Sequence, residues 1–116
     1  MATEVKGYVD LYLLPVPEQR IEEYREQAQT FGGVARERGA SSYREFRSDN
    51  LGEGFTAAAN GHLLTAAVVE FDSRAHRDEV MARVMEDPRV KAMMDVEPIT
   101  GMDQMRYGGF QTFVAA

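Results

Sequence analysis

The chain has 116 residues, no cysteine, 13 basic against 19 acidic side chains and a formal charge of −6. That length suits one domain rather than two, and a chain of this size buries roughly two-thirds of its unfolded surface, enough for a core without staples. The missing cysteines exclude disulfides, thiolate nucleophiles and thiolate metal ligands. The acid excess, with arginines alternating with glutamates instead of gathering on one face, argues against nucleic acid and anionic membrane surfaces as partners.

No stretch approaches the roughly 20 apolar residues of a membrane span, and Met1–Gly7 lacks the basic start and apolar run of a secretory leader. A cytoplasmic location is the expectation, in keeping with the absence of cysteine.

Val5 to Leu14 alternates. Val5, Val9, Leu11 and Leu13 share one parity, and Lys6, Tyr8, Asp10 and Tyr12 the other, which predicts a strand with one apolar and one mixed, aromatic face, stopped by Pro15 and Pro17. Pro17 and Glu18 suit the first turn of a helix. Ile21, Tyr24, Ala28, Phe31 and Ala35 then fall on one side of a helical wheel, giving an amphipathic helix of about five turns that ends at Gly39. Ser41–Asp49 returns to alternation and predicts a second strand, at a sheet edge. Asn50–His62, with three glycines around a run of alanines, predicts a long loop. Leu63–Phe71, apolar on both parities until Glu70, predicts a strand covered on both faces. Asp72 and Ser73 open a helix carrying Val80, Met81, Val84 and Met85, Asp87-Pro88 restarts it, and a short piece runs to Met94. Met102–Val114 predicts a last strand, with Gly108-Gly109 marking a bulge or bend.

The order is βαββαβ in a single domain. Two helices cover only one face of such a four-stranded antiparallel sheet. The other face is expected to carry Tyr8, Tyr12, part of the third strand, and Tyr107 or Phe110. A bare aromatic-rich face of that size predicts a second copy packed against it, hence a homodimer.

The run Ser73-Arg-Ala-His-Arg-Asp-Glu-Val80, continuing through Val84-Met85-Glu86-Asp87-Pro88-Arg89 to Met93-Met94-Asp95, is distinctive. With Tyr8-Val9-Asp10 before Pro15-Val16-Pro17, and Arg106-Tyr107-Gly108-Gly109-Phe110, it resembles the YbaA-like family, domain of unknown function 1428, over nearly the whole chain. The resemblance implies a ferredoxin-like α+β fold of the dimeric α/β-barrel superfamily and no established activity. Superfamily relatives include monooxygenases, haem-handling enzymes and binding modules, so the fold does not select among them.

His76 stands at the edge of the buried stripe in a helix's first turn, where the positive end of the dipole favours a neutral imidazole. It could serve as a base beside a cavity, or simply hydrogen-bond Asp72 or Ser73 to fix the helix start. Arg77, along the line of Val80 and Val84, could meet an anionic group or an intrachain carboxylate. Asp10 lies between Tyr8 and Tyr12 on a central strand and needs a donor if buried, with Arg106 or Tyr107 on the neighbouring strand as candidates. Tyr8, Asp10, Tyr12, Arg77 and Tyr107 are thus the expected ligand-binding set, and His76 the expected catalytic residue. The seven methionines read as core filler. Gly52-Glu53-Gly54 lacks phosphate-loop spacing, and His62 and His76 lack metal-ligand spacing, so neither a metal nor a cofactor is expected.

The leading reading is a homodimer that binds a small, partly apolar molecule between sheet and helices. The alternatives are a cofactor-independent monooxygenase or isomerase using His76, and a protein-docking dimer with no ligand pocket.

Overall fold

The computed structural model describes residues 5–116, the side chain of Met102 excepted, and residues 1–4 of the N-terminal stretch considered above lie outside it. Strands β1 (Tyr8–Val16), β2 (Ser42–Arg47), β3 (Leu63–Phe71) and β4 (Arg106–Gln111) form one sheet in the order β2-β3-β1-β4, with every neighbouring pair antiparallel. Helix α1 (Ile21–Glu37) joins β1 to β2, α2 (Glu53–Ala59) joins β2 to β3, and α3 (Arg74–Glu86) with α4 (Pro88–Met94) leads to β4. This is the ferredoxin-like α+β arrangement. No helix among the described residues is long and apolar enough to cross a membrane.

The local signals act as their chemistry dictates at α3 and α4. The Ser73 hydroxyl accepts from the His76 backbone N–H at 3.0 Å, and the Asp87 carboxylate accepts from the Arg89 backbone N–H at 2.9 Å with Pro88 in the first turn. Arg38 donates to Asp87 at 2.7 Å, and Arg89 reaches Glu37 at 2.6 Å, so the break between α3 and α4 is tied to the end of α1.

Several boundaries differ from the sequence expectation. β1 runs through Pro15 to Val16, which is tolerated because the ladder to β4 ends at Leu13 and Pro15 has a strand neighbour on one side only. The expected loop Asn50–His62 contains α2, where Ala57–Ala59 supply helix propensity and Asn60 ends the helix in a left-handed conformation (φ 51°). β4 is shorter than expected and carries no bulge: Gly108 and Gly109 pair in regular register with Leu11 and Asp10.

The larger correction concerns the two faces of the sheet. Tyr8, Asp10 and Tyr12 align with Phe71, Val69 and Ala67 of β3, and Tyr12 with Tyr107 of β4. These residues turn toward the helices, where Val69, Phe71, Val80, Val84, Val34 and Val90 form the core and Tyr8, Tyr12, Phe31 and Tyr43 pack against it. The open face instead carries Val9, Leu11 and Leu13, flanked by Ala66 and Val68 of β3, Phe46 of β2 and Phe110 of β4. So Tyr8, Tyr12 and Tyr107 are not on the open face, and of the expected residues Phe110 is. The reason is Asp10: its carboxylate finds a donor only under the helices, and strand alternation then turns both tyrosines inward and the aliphatic parity outward.

Gly32 and Gly33 are adjacent in α1 and meet different surroundings. A methyl group on Gly32 would collide with the ring of Tyr43, while one on Gly33 would enter open space. An alanine in a helix interior gains about 1 kcal/mol over glycine, whereas overpacking a filled site costs about 1–3 kcal/mol. Gly33→Ala is therefore expected to raise urea-unfolding stability by up to about 1 kcal/mol and Gly32→Ala to lower it by about 1 kcal/mol. Equal shifts of the same sign would show that the Tyr43 ring does not set the limit.

Candidate functional site

Asp10 is 1% exposed, and its partners come from β1 itself and from α3. The Arg77 Nε–H lies 3.1 and 3.0 Å from the two carboxylate oxygens, and the Tyr12 hydroxyl donates to the same carboxylate at 3.4 Å. Arg77 also donates to Asp78 at 3.0 Å. The donor expected from β4 is absent for a geometric reason. Asp10 faces Gly109, Arg106 pairs with Leu13 on the opposite face, and Tyr107 stacks on Tyr12, with ring centres 5.9 Å apart. Tyr8 leans over Gly109, where no side chain stands in its way. The expected set of Tyr8, Asp10, Tyr12, Arg77 and Tyr107 therefore gathers on the helix side of the sheet. Within it, Asp10 and Arg77 are already committed to each other as a strut between β1 and α3.

His76 has a local task. Its Nδ1 accepts the Asp72 backbone N–H at 2.9 Å, its own backbone N–H donates to Ser73, and its ring stands edge-on to Phe71 at 6.0 Å. It contributes to the wall of neither concavity described here. Among the described residues no group of His, Asp or Glu side chains gathers as a metal centre would require.

A cavity of about 240 Å3 lies between the sheet and helices α1 and α4. Leu14 and Ala67 form part of its sheet wall, and Ala28, Phe31, Met93 and Met105 close it from the other sides. Its polar side is made by Tyr12, Tyr24, Tyr43 and Glu45. Tyr24 donates to Glu45 at 2.5 Å, and Tyr43 donates to the other carboxylate oxygen. Thr65 stands 3.4 Å behind the Tyr24 hydroxyl. Two phenols thus pin one carboxylate at the cavity wall, while each carboxylate oxygen retains a second lone pair for a further donor. Of this group, only Tyr12 was expected to contact a ligand. Tyr43 and Glu45 share the helix-facing parity of β2 in the sequence, and Tyr24 lies on the apolar stripe of α1. A glutamate alternating with a tyrosine on the covered side of a strand was the available signal.

Burial, reinforced by the Asp10 carboxylate, pushes the Tyr12 hydroxyl up to about 12. Burial and the adjacent Glu45 raise Tyr24 and Tyr43 as well. A hydroxyl that keeps its proton longer in the folded chain than in the unfolded one stabilises the fold below the ordinary tyrosine value of about 10 and loses that contribution as pH rises toward the folded value. Stability should accordingly fall between pH 10 and about 12, and Tyr12→Phe should flatten part of that fall. Denaturant titrations at a series of pH values would show it. An unchanged slope in the variant would remove Tyr12 from the account.

Over most of its length the chain is similar to the uncharacterised protein YbaA of Escherichia coli K12, 27% identical over 114 residues, covering 92% of this chain and 97% of that one. Among solved structures, a Thermobifida fusca protein described as a dimeric ferredoxin-like protein of unknown function superposes with a TM-score of 0.60 at 12% identity, covering 97% of this chain and 96% of that one. A Nitrosomonas europaea protein named "Putative antibiotic biosynthesis monooxygenase" superposes at 0.62 and 12% identity, covering 97% and 95%. At such identities the likeness is one of fold. The model of the family described as protein of unknown function (DUF1428) matches residues 7–101, and the chain belongs to that family.

Proposed function

We propose that the protein is a cytoplasmic, single-domain homodimer that binds a small, partly apolar molecule in the cavity between its sheet and helices. The carrying observation is the cavity wall: aliphatic, aromatic and thioether side chains with one carboxylate, Glu45, held by Tyr24 and Tyr43. Such a site favours a compact molecule with an apolar body and a hydrogen-bond donor, a phenol or an alcohol, that reaches the remaining lone pairs of Glu45. A volume of about 240 Å3 lies below the roughly 300–1,000 Å3 of drug-sized sites, which argues for a small metabolite. The cavity also favours this reading over a docking dimer without a pocket. An enzyme built on His76 lacks comparable support, since that imidazole borders neither concavity.

The open face supports the homodimer. Val9, Leu11, Leu13, Ala66 and Val68 make a continuous aliphatic surface, with Phe46 and Phe110 exposed at its corners (46% and 54%). Patches of this kind on a sheet are rarely left to water. The Thermobifida fusca neighbour is described as dimeric, which agrees with this reading.

Two measurements test the proposal. Phenol and a set of small aromatic alcohols should raise the melting temperature of the protein, and Ala28→Leu, which fills the cavity without removing a polar group, should abolish the shift. No shift with any compound, or the same shift in the variant, would sink the ligand-binding reading. Sedimentation at micromolar concentration should give twice the 13.0 kDa chain mass, and Leu11→Asp should return it to the chain mass. A wild-type protein sedimenting as the single chain would end the dimer reading.

A further inference from the structure

Outside the cavity, a second concavity of about 560 Å3 runs between α1 and β2. Its β2 wall is made by five consecutive residues, Tyr43 to Arg47. Successive strand residues point to opposite faces of a sheet, so a hollow that meets all five runs along the strand's edge. β2 is the terminal strand, with β3 as its neighbour on one side. The Ser48 N–H donates to the Leu64 carbonyl at 2.7 Å, and antiparallel alternation from that pair turns the backbone groups of Phe46 and Arg44 toward β3. The N–H and C=O groups of Tyr43, Glu45 and Arg47 therefore face the groove.

The groove is basic although the chain is acidic. Arg25, Arg36, Arg44 and Arg47 line it, against Glu45 as the acidic lining residue. Arg25 is paired with Glu22 at 3.0 Å, but Arg36, Arg44 and Arg47 have no carboxylate partner among the described residues. Elsewhere among the described residues Arg20, Arg38, Arg77 and Arg89 each have one, while Arg74, Arg83 and Arg106 do not. Four arginines thus line the groove beside the outward edge of β2, where Arg36 also donates to the Ala40 carbonyl at 2.7 Å and to the Ser41 carbonyl, and Arg44 lies 5.0 Å from the centre of the Phe46 ring. The same charge keeps the β2 edge of a second copy away, because antiparallel pairing of two such edges would bring like charges together.

We propose that this groove binds an extended acidic segment of a partner protein, which adds a strand to the free edge of β2. Backbone pairing with Tyr43, Glu45 and Arg47 would hold the segment in place. Its acidic side chains on one face would meet Arg36 and Arg47, and those on the other would meet Arg44. The groove shares Tyr24, Ala28, Tyr43 and Glu45 with the wall of the inner cavity, but strand addition uses the backbone of β2 and not the Glu45 carboxylate.

The test is fluorescence anisotropy of the full chain with three labelled peptides: a Glu/Val-rich peptide without proline, its Lys-for-Glu counterpart, and the acidic peptide N-methylated at alternate backbone amides. The acidic peptide should bind, and binding should weaken as salt is raised. Its affinity should fall at least tenfold in Arg47→Glu, whose circular dichroism should match wild type because Arg47 is exposed. The lysine and N-methylated peptides should bind at least tenfold more weakly. Should Arg47→Glu fail to fold, Arg47→Ala supplies the comparison, with a smaller fall in affinity. Binding undiminished by N-methylation would mean recognition of charge without strand addition and would overturn the proposal. So would equal binding of the acidic and basic peptides, and so would no binding by either, which would leave the arginines as a guard on the edge.

Discussion

A carboxylate that is 1% exposed on a central strand must be paired, and in this chain the pairing fixes the orientation of everything around it. Arg77 approaches Asp10 from α3, so the parity of β1 that contains Asp10 has to lie under the helices. Sheets repeat every second residue, and a slip of one position would expose Asp10 to the open face while driving Leu11 and Leu13 inward. The ion pair contributes little net stability if set against an apolar substitute of the same shape. Its weight lies in excluding the slipped register, because breaking the pair leaves a charge stranded in the core.

Once Asp10 is turned inward, the aromatic residues follow. Tyr8 and Tyr12 enter the helix side with it, and across β3 the covered parity of β2 brings Tyr43 and Glu45 to the same layer. The layer of tyrosines and one glutamate beside the valine core cannot close as tightly as the aliphatic residues do, since every hydroxyl has to reach an acceptor. The outcome is an internal polar network next to an unfilled volume. Gly32 and Gly109 relieve the crowding at two points where a tyrosine presses against backbone. The aliphatic parity, which could have filled a dense core, is left outside.

The element order was legible in the sequence because each segment carries its own local physics: alternation in β1 and β3, the apolar stripe and Pro17 start of α1, the Ser73 cap, and the Asp87-Pro88 restart. These signals need only neighbours within a turn or a strand. The open face was not legible, because the rule that apolar means inside pointed to the wrong parity of β1. That choice depends on a contact between Asp10 and Arg77, 67 residues apart in the sequence, which neither strand nor helix periodicity encodes. The loop assignment for Asn50–His62 failed differently. Glycines at its start and end outweighed the alanines between them, whereas in the structure Gly52 and Asn60 flank a short helix. Tyr12 lines the cavity, and beside it Tyr24 and Glu45 meet across a separation of 21 residues, a contact that no local pattern encodes.

On the proposed reading, the exchange of faces separates self-association from ligand binding. An aliphatic sheet face is flat and chemically uniform, suited to self-association, where area and shape matter more than hydrogen bonds. A carboxylate with free lone pairs, pinned by two phenols, is suited to discrimination, because a buried polar group left unpaired penalises any occupant lacking the matching donor. With the tyrosines outside and the aliphatic residues inside, both tasks would have fallen on the same face, and pairing two copies would have buried the polar groups without partners. The inward turn of Asp10 avoids that conflict.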